Sequence, residues 1–225
     1  MYKKIELLLS FVRSIYINFK CLPFSQAIKL PLLFHYKVQI IGSLDKGSIE
    51  ILGNIYRRMV QIGISSGSFK MGGQFMSLVK IDKGGKLLFK GNCNIARGCH
   101  IVVSKNALIV FGKNCDFNAN TLINSGSTIS FGDDFLGGWN VTIIDGDGHP
   151  IHELHSHRIL NPNKPIKFGN HCWLAAQTSV LKSVSLSDDT IVPYGSVITK
   201  SCDEPYIIFG GQPNRILKNK VYRDE

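Results

Sequence analysis

Apolar residues in the C-terminal half recur every six positions. Phe168, Leu174, Val180, Leu186, Val192 and Ile198 hold the first position of successive sextets. The fifth positions, Cys172, Thr178, Val184, Thr190 and Ser196, are small or β-branched. This period matches neither a helix, at about 3.6, nor a half-buried strand, at 2. It suits a prism-shaped solenoid with one large side chain turned inward per wall and a small one near each corner. Fixed-period self-similarity marks such repeat architectures.

The same frame holds upstream, with Phe89, Ile95, Phe111, Phe117, Ile123 and Phe131 at first positions. A tetrapeptide Phe-Gly-x-Asn/Asp/His recurs at Phe111, Phe131 and Phe168, so the intervals are 131 − 111 = 20 and 168 − 131 = 37. Three walls of six make a coil of about 18 residues. The surplus of the second interval must leave the prism as a loop, and the polar, proline-bearing run from Asp147 to Lys164 supplies it. Shorter β-rich runs at Val38–Ile41, Ser48–Leu52, Gln61–Ile64, Met76–Ile81 and Lys86–Phe89 predict irregular first turns.

Ahead of them, Leu7, Leu8, Phe11, Val12, Ile15 and Phe19 recur at helical spacing. They predict an amphipathic helix that packs on its own domain or a neighbouring subunit, or rests on a membrane surface. The run is interrupted by Arg13 and is too short to span a bilayer, which takes about 20 apolar residues. It lacks the small-residue cleavage site of a signal peptide. Pro23 and Pro31 keep any following helix short. The expected organisation is a helical segment over 1–36, the solenoid over 37–205 with its excursion at about 146–164, and a tail over 206–225.

The formal charge of +10 is uneven. Residues 1–105 carry 16 Lys/Arg against 4 Asp/Glu, a net of +12, and residues 106–225 carry 10 against 12, a net of −2. The basic half could face an anionic glycan or lipid surface, or be an ordinary solvated one. No basic run interleaved with aromatics points to nucleic acid. Of six cysteines, Cys93, Cys99, Cys115 and Cys172 fall on fifth positions, where they serve as small apolar residues. With no C-x-x-C pair, a zinc ribbon is not expected, and reduced thiols fit a cytoplasmic protein.

The excursion gathers candidate chemistry. It carries Asp147, His149, His152, Glu153, His155, His157 and Arg158, with four of the seven histidines within nine residues. The run Gly148-His149-Pro150-Ile151-His152, then Trp173-Leu174-Ala175-Ala176, then Gly195-Ser196-Val197-Ile198-Thr199-Lys200 and Gly211-Gln212-Pro213-Asn214-Arg215-Ile216, resembles the hexapeptide-repeat acetyltransferases of the galactoside and maltose acetyltransferase group. The likeness spans about Phe89 to Lys218. The N-terminal third, with Leu22-Pro23-Phe24 and Lys29-Leu30-Pro31, resembles bacterial surface-polysaccharide O-acetyltransferases.

That resemblance implies an all-β fold, a left-handed parallel β-helix assembled as a homotrimer, with acetyl-CoA between subunits and no metal. It implies His149 as general base, taking the proton of a sugar hydroxyl as that oxygen attacks the thioester. It places Asn120 and Trp139 on the acceptor side, although Asn120 is equally an asparagine suited to a solenoid corner and Trp139 could simply cover a coil edge. Ala176 and Tyr194 fall at positions contacting pantetheine. Thr199, Lys200, Arg215 and Lys218 fall near the adenosine end. The Pro193-Tyr194 pair departs from the family's usual Gly-Ala there. The expected activity is O-acetylation of a surface polysaccharide or its precursor, in the cytoplasm or at the inner membrane face. Three other readings stay open: N-acetylation of an amino sugar; a metal enzyme of the γ-carbonic-anhydrase type, in which His100 or His171 would have to join the loop histidines; and a non-catalytic interaction scaffold.

Overall fold

A computed structural model describes residues 2–68 and 76–224. Among the described residues, nine strands form one wall of a prism, from Leu32–Phe34 at the base to Arg215–Asn219 at the top. Seven form the second wall, from Gln39–Gly42 to Val197–Ile198, and six the third, from Ile49–Ile51 to Ser185–Leu186. The chain visits the walls in rotation, so each strand pairs in parallel with its counterpart one coil below. Cys115–Phe117, for example, lies on Cys93–Ile95. The coil is left-handed, against the right-handed rule for parallel crossovers. The final pair, Ile207–Gly210 with Arg215–Asn219, is antiparallel, because the tail turns back on itself.

The Phe-Gly-x-Asn motif has a physical reading at the corner between the third and first walls. Phe89, Phe111, Phe131 and Phe168 stack inside the prism with centroid spacings of 4.8, 5.4 and 5.2 Å. Gly132 follows Phe131 because a Cβ there would lie 2.3 Å from the Gly169 carbonyl oxygen of the next coil. The third position accepts from the coil below: Asp133 from the Lys113 N–H at 2.8 Å, and Asn170 from the Asp133 N–H at 2.8 Å. The fourth position, Asn114, Asp134 or His171, has φ of 56–57°, a left-handed turn that Asn, Asp and His tolerate better than most residues.

The surplus of the 37-residue interval is an excursion between Thr142–Ile144 and Ile166–Phe168. The solenoid also starts earlier than the β-rich texture suggests, because Leu32–Phe34 already pairs with Val60–Ile62.

The base is closed by helix α1 (Tyr2–Cys21), followed by the short α2 (Phe24–Ala27). The open edge of Leu32–Phe34 must be paired or covered. α1 covers it with side chains. The hydroxyl of Ser10 accepts from the Tyr36 N–H at 3.0 Å, and that of Ser14 from the Phe34 N–H at 2.9 Å. The Asn18 amide accepts from the Leu32 N–H at 3.0 Å and donates to the Leu32 carbonyl at 2.8 Å. Spacing of four puts these three residues on one helix face. α1 therefore packs on its own domain, but through a polar face, and most of its apolar residues point outward. Leu8 is 62% exposed, Val12 60% and Tyr16 64%.

Candidate active site

The excursion leaves the prism at the corner between the second and third walls. Asp145, fully buried, anchors its departure. Its carboxylate accepts from the Ser125 hydroxyl at 2.8 Å, the Gly126 N–H at 2.6 Å and the Ser127 N–H at 2.9 Å. The return strand is tied beside it, where the Lys164 N–H donates to the Asp145 carbonyl at 2.9 Å. The Asn163 amide donates to the Gly126 carbonyl at 3.1 Å, in the space between Gly126 and Gly146. A Cβ on Gly146 would lie 2.0 Å from the Asn163 Oδ1.

Between these anchors the chain presents His149, exposed at the rim of a cleft of about 400 Å³ that Asp145, Asn124, Ile159 and Asn161 also line. Asn161 fixes the turn: its amide donates to the His149 carbonyl at 2.9 Å and accepts from the Ile151 N–H at 2.5 Å. Among the described residues, the His149 ring makes no hydrogen bond. The nearby carboxylates are engaged, Asp145 as above and Asp147 by Lys182 and Asn161. Lys182 and Asn161 hold the Asp147 carboxyl below its usual range. The backbone therefore fixes where the imidazole sits, and its faces stay open to a reactant.

Of the remaining loop histidines, His152 and His157 serve the loop. His152 Nδ1–H donates to the His157 carbonyl at 2.9 Å, and the two arms are bridged at His152 and Ile159. His100 contacts the Met76 carbonyl at 3.0 Å, and His171 meets Asp189 at 2.6 Å on a different corner. Among the described residues, no three of His, Cys, Asp or Glu form a group that could hold a metal ion.

A second cleft, of about 340 Å³, lies along the corner between the first and second walls. Trp139, Ala176 and Tyr194 line it together with Asn118, Gly138 and Trp173. Close stacking builds this corner: a Cβ on Gly138 would lie 2.6 Å from the Ala176 backbone nitrogen. Asn118 lines the cleft, its amide accepting from the Ser68 N–H and donating to the Ser68 hydroxyl, both at 2.7 Å. Asn120 does not line it. Its φ is 62°, and its Oδ1 is buried over Gly98 without a partner among the described residues. Of the two asparagines in Asn118-Ala119-Asn120, the first faces the cleft and the second turns the corner. Strand alternation would set residues two apart on one side, so it is the left-handed turn at Asn120, with φ of 62°, that separates them.

Thr199 and Lys200 follow the last strand of the second wall, on the same corner as the excursion but nearer the top. Asn214 ties the tail to this edge, accepting from the Thr199 N–H at 2.8 Å and donating to the Val197 carbonyl at 2.7 Å. Arg215 and Lys218 lie exposed on the terminal antiparallel strand, which extends the first wall. In one chain, then, the His149 cleft and the Trp139–Tyr194 cleft flank the second wall. The strand between them, Thr142–Ile144, spans about 10 Å.

No protein-family model matches the chain. It is 29% identical over 126 residues to the galactoside O-acetyltransferase of Escherichia coli K12, covering 56% of this chain and 61% of that one. It is 28% identical over 123 residues to the polysialic acid O-acetyltransferase of Escherichia coli O1:K1, covering 54% of this chain and 39% of that one. The chain thus spans about three fifths and two fifths of the lengths of these relatives. The crystal structure of the polysialic-acid-specific acetyltransferase NeuO superposes with a TM-score of 0.61 at 20% identity, covering 86% of this chain and 78% of that one. The chain is a left-handed β-helix of hexapeptide repeats, similar in sequence to sugar O-acetyltransferases.

Proposed function

We propose that this protein transfers an acetyl group from acetyl-CoA to a sugar hydroxyl of a surface polysaccharide or its precursor, with His149 as general base. A ring nitrogen of His149 takes the hydroxyl proton while that oxygen bonds to the thioester carbonyl carbon. The tetrahedral intermediate then collapses, the C–S bond breaks, and the proton passes to the departing CoA sulfur. Imidazole suits this exchange because it gives and takes a proton near neutral pH.

The observation that carries this reading is the placement of His149. It is the exposed histidine of a tightly anchored Gly-His-Pro turn, at the rim of a cleft beside a buried, fully hydrogen-bonded carboxylate. The sequence likeness to two O-acetyltransferases named for galactoside and polysialic acid supports a sugar acceptor. Ala176 and Tyr194 share a mainly apolar cleft that suits the pantetheine arm; Trp139, assigned to the acceptor side, lines the same cleft, and there Asn118 replaces Asn120 as the candidate to meet an acceptor hydroxyl. Thr199, Lys200, Arg215 and Lys218 would receive the adenosine phosphates, whose charge suits exposed cations. The two clefts lie on different corners of one chain. Assembly of three copies would set the histidine corner of one beside the tryptophan corner of the next. Free thiols at all six cysteines fit a cytoplasmic site of action.

The test is acetyl-CoA turnover against a panel of sugars and isolated glycans, read by mass spectrometry. An acetylated glycan formed by the wild-type chain, and not by His149→Ala, is the expected result. Equal turnover by that variant excludes His149 as the base.

A further inference from the structure

We propose that the outer face of α1 seats the protein on an anionic lipid surface. The inference is independent of the acyl-transfer reading. It rests on which face of the helix the fold uses. Ser10, Ser14 and Asn18 are buried against the edge strand. Ile5, Leu8, Leu9, Val12, Ile15, Tyr16 and Phe19 are exposed, from 37% to 64%. At about 100° per residue these seven share the sector opposite the serines, and no charged residue falls within it. Phe24 and Ile28, 71% and 55% exposed, extend the patch, and the Phe24 ring lies 5.9 Å from that of Phe19. A contiguous apolar surface of this kind marks an interaction site, unlike apolar residues scattered singly.

Charge selects the occupant. Residues 1–31 hold five Lys/Arg (Lys3, Lys4, Arg13, Lys20, Lys29) and one acidic residue, Glu6. Lys20 sits at the margin of the apolar sector with its Nζ 5.8 Å from the Tyr16 ring centroid. Exposed Arg57 lies over the Phe11 ring at 5.0 Å. An apolar stripe bordered by cations is the pattern of a helix lying in a lipid interface, with acyl chains under the stripe and anionic headgroups at its margins. Two such faces pressed together would set like charges against each other, which disfavours a second copy as the occupant. Among the described residues, no helix is long and apolar enough to cross a membrane, so α1 would lie on the surface. The strand that leads to His149 sits four coils above the base, through Leu78, His100, Leu122 and Thr142. At about 4.8 Å per coil this holds the His149 corner roughly 19 Å above the lowest strand.

The test is flotation of the full chain with phosphatidylcholine vesicles, with and without about one quarter phosphatidylglycerol. The wild-type chain should float with the anionic vesicles, and less so as salt rises. Leu8→Glu/Val12→Glu should lose about tenfold or more of that binding at unchanged circular dichroism and Tm, since both side chains point to solvent. Phe24→Ser on α2 is a second variant outside the capping helix and should also weaken binding. Absence of wild-type binding overturns the proposal, as does equal binding to both vesicle types or undiminished binding by both variants. A drop in oligomer mass on Leu8→Glu/Val12→Glu, with vesicle binding retained, would assign the face to a second copy and overturn it as well.

Discussion

The Ser125 hydroxyl donates to the Asp145 carboxylate at 2.8 Å inside the wall, one coil apart. This contact sets the point where the excursion leaves the prism. A fully buried carboxylate is stable there because every partner is a donor: one hydroxyl and the N–H groups of Gly126 and Ser127. Asp145→Ala strands those two part-buried N–H groups at the anchor, and an unsatisfied donor held from water costs about 1–3 kcal/mol. The expected loss is about 3 kcal/mol, read as a lower urea midpoint at unchanged m-value. Because the same carboxylate stands at the foot of the His149 turn, acetyl transfer should fall too. A stability within about 0.5 kcal/mol of wild type would show that Asp145 does not anchor the loop.

His149 should behave differently. It is exposed, and among the described residues its ring makes no hydrogen bond. His149→Ala should leave Tm within about 1 °C and lower acetyl transfer by about 10²–10⁴-fold, the range for loss of a general base. His155→Ala serves as an exposed neighbour, and His152→Ala as one whose ring ties the loop. If all three variants lose activity alike, the loop acts as a whole and His149 has no special role.

The two asparagines of one corner separate binding from folding. Asn120 adopts φ of 62° and faces Gly98, so Asn120→Ala should cost about 1 kcal/mol through left-handed strain, and Asn120→Gly much less. Asn118 lines the cleft shared with Trp139 and Tyr194. Asn118→Ala should leave most of the stability intact and raise the KM for the acceptor. Steady-state kinetics with thermal melts on the three variants decide the matter. The reverse pattern would return the acceptor role to Asn120.

This pair also shows how far the sequence alone reaches. The hexapeptide period predicts the walls, the inward phenylalanines and the surplus that becomes the loop, because inward stacking repeats with the coil. It cannot say which of two asparagines, two residues apart, faces a cleft, since that depends on which of them turns the corner. Asp145 carries no periodic signal either: it is the third residue of its sextet, a position the frame leaves unspecified, and only its three donors explain it. For α1 the apolar spacing correctly indicates a helix. It does not say which side faces the solenoid, because that is set by Ser10, Ser14 and Asn18 meeting the open strand edge.

Five cysteines are buried, four within the solenoid and Cys21 at the end of α1. Burial raises the thiols of Cys21, Cys99, Cys115 and Cys172 to about 12. It pushes Cys93 well above its ordinary value. The thiolate is the reactive form, so at pH 8 the native protein should react with a thiol reagent mainly at the part-exposed Cys202, and in denaturant at all six. The sign of the pH dependence follows. With folded values above the unfolded value of about 9, the unfolded chain loses these protons first. Stability should be intact below pH 9 and fall as pH rises toward 12. Rapid native labelling of more than two thiols would contradict the buried placement.

The side-chain cap on the lowest strand is the last test. Asn18 satisfies both the N–H and the C=O of Leu32, and all of these groups are buried. Asn18→Ala removes both partners at once and should cost about 3 kcal/mol. Ser10→Ala should cost about 1 kcal/mol, because Tyr36 is half-buried and water can replace the hydroxyl. The effects should differ in kind as well as size. An uncapped Leu32–Phe34 edge is a template for pairing with another chain, so Asn18→Ala should scatter light on heating at lower temperature than Ser10→Ala matched for fraction unfolded. Urea titration gives the first comparison and scattering the second. If Asn18→Ala lowers the urea midpoint no more than Ser10→Ala does, the helix is held by something other than this row of side chains.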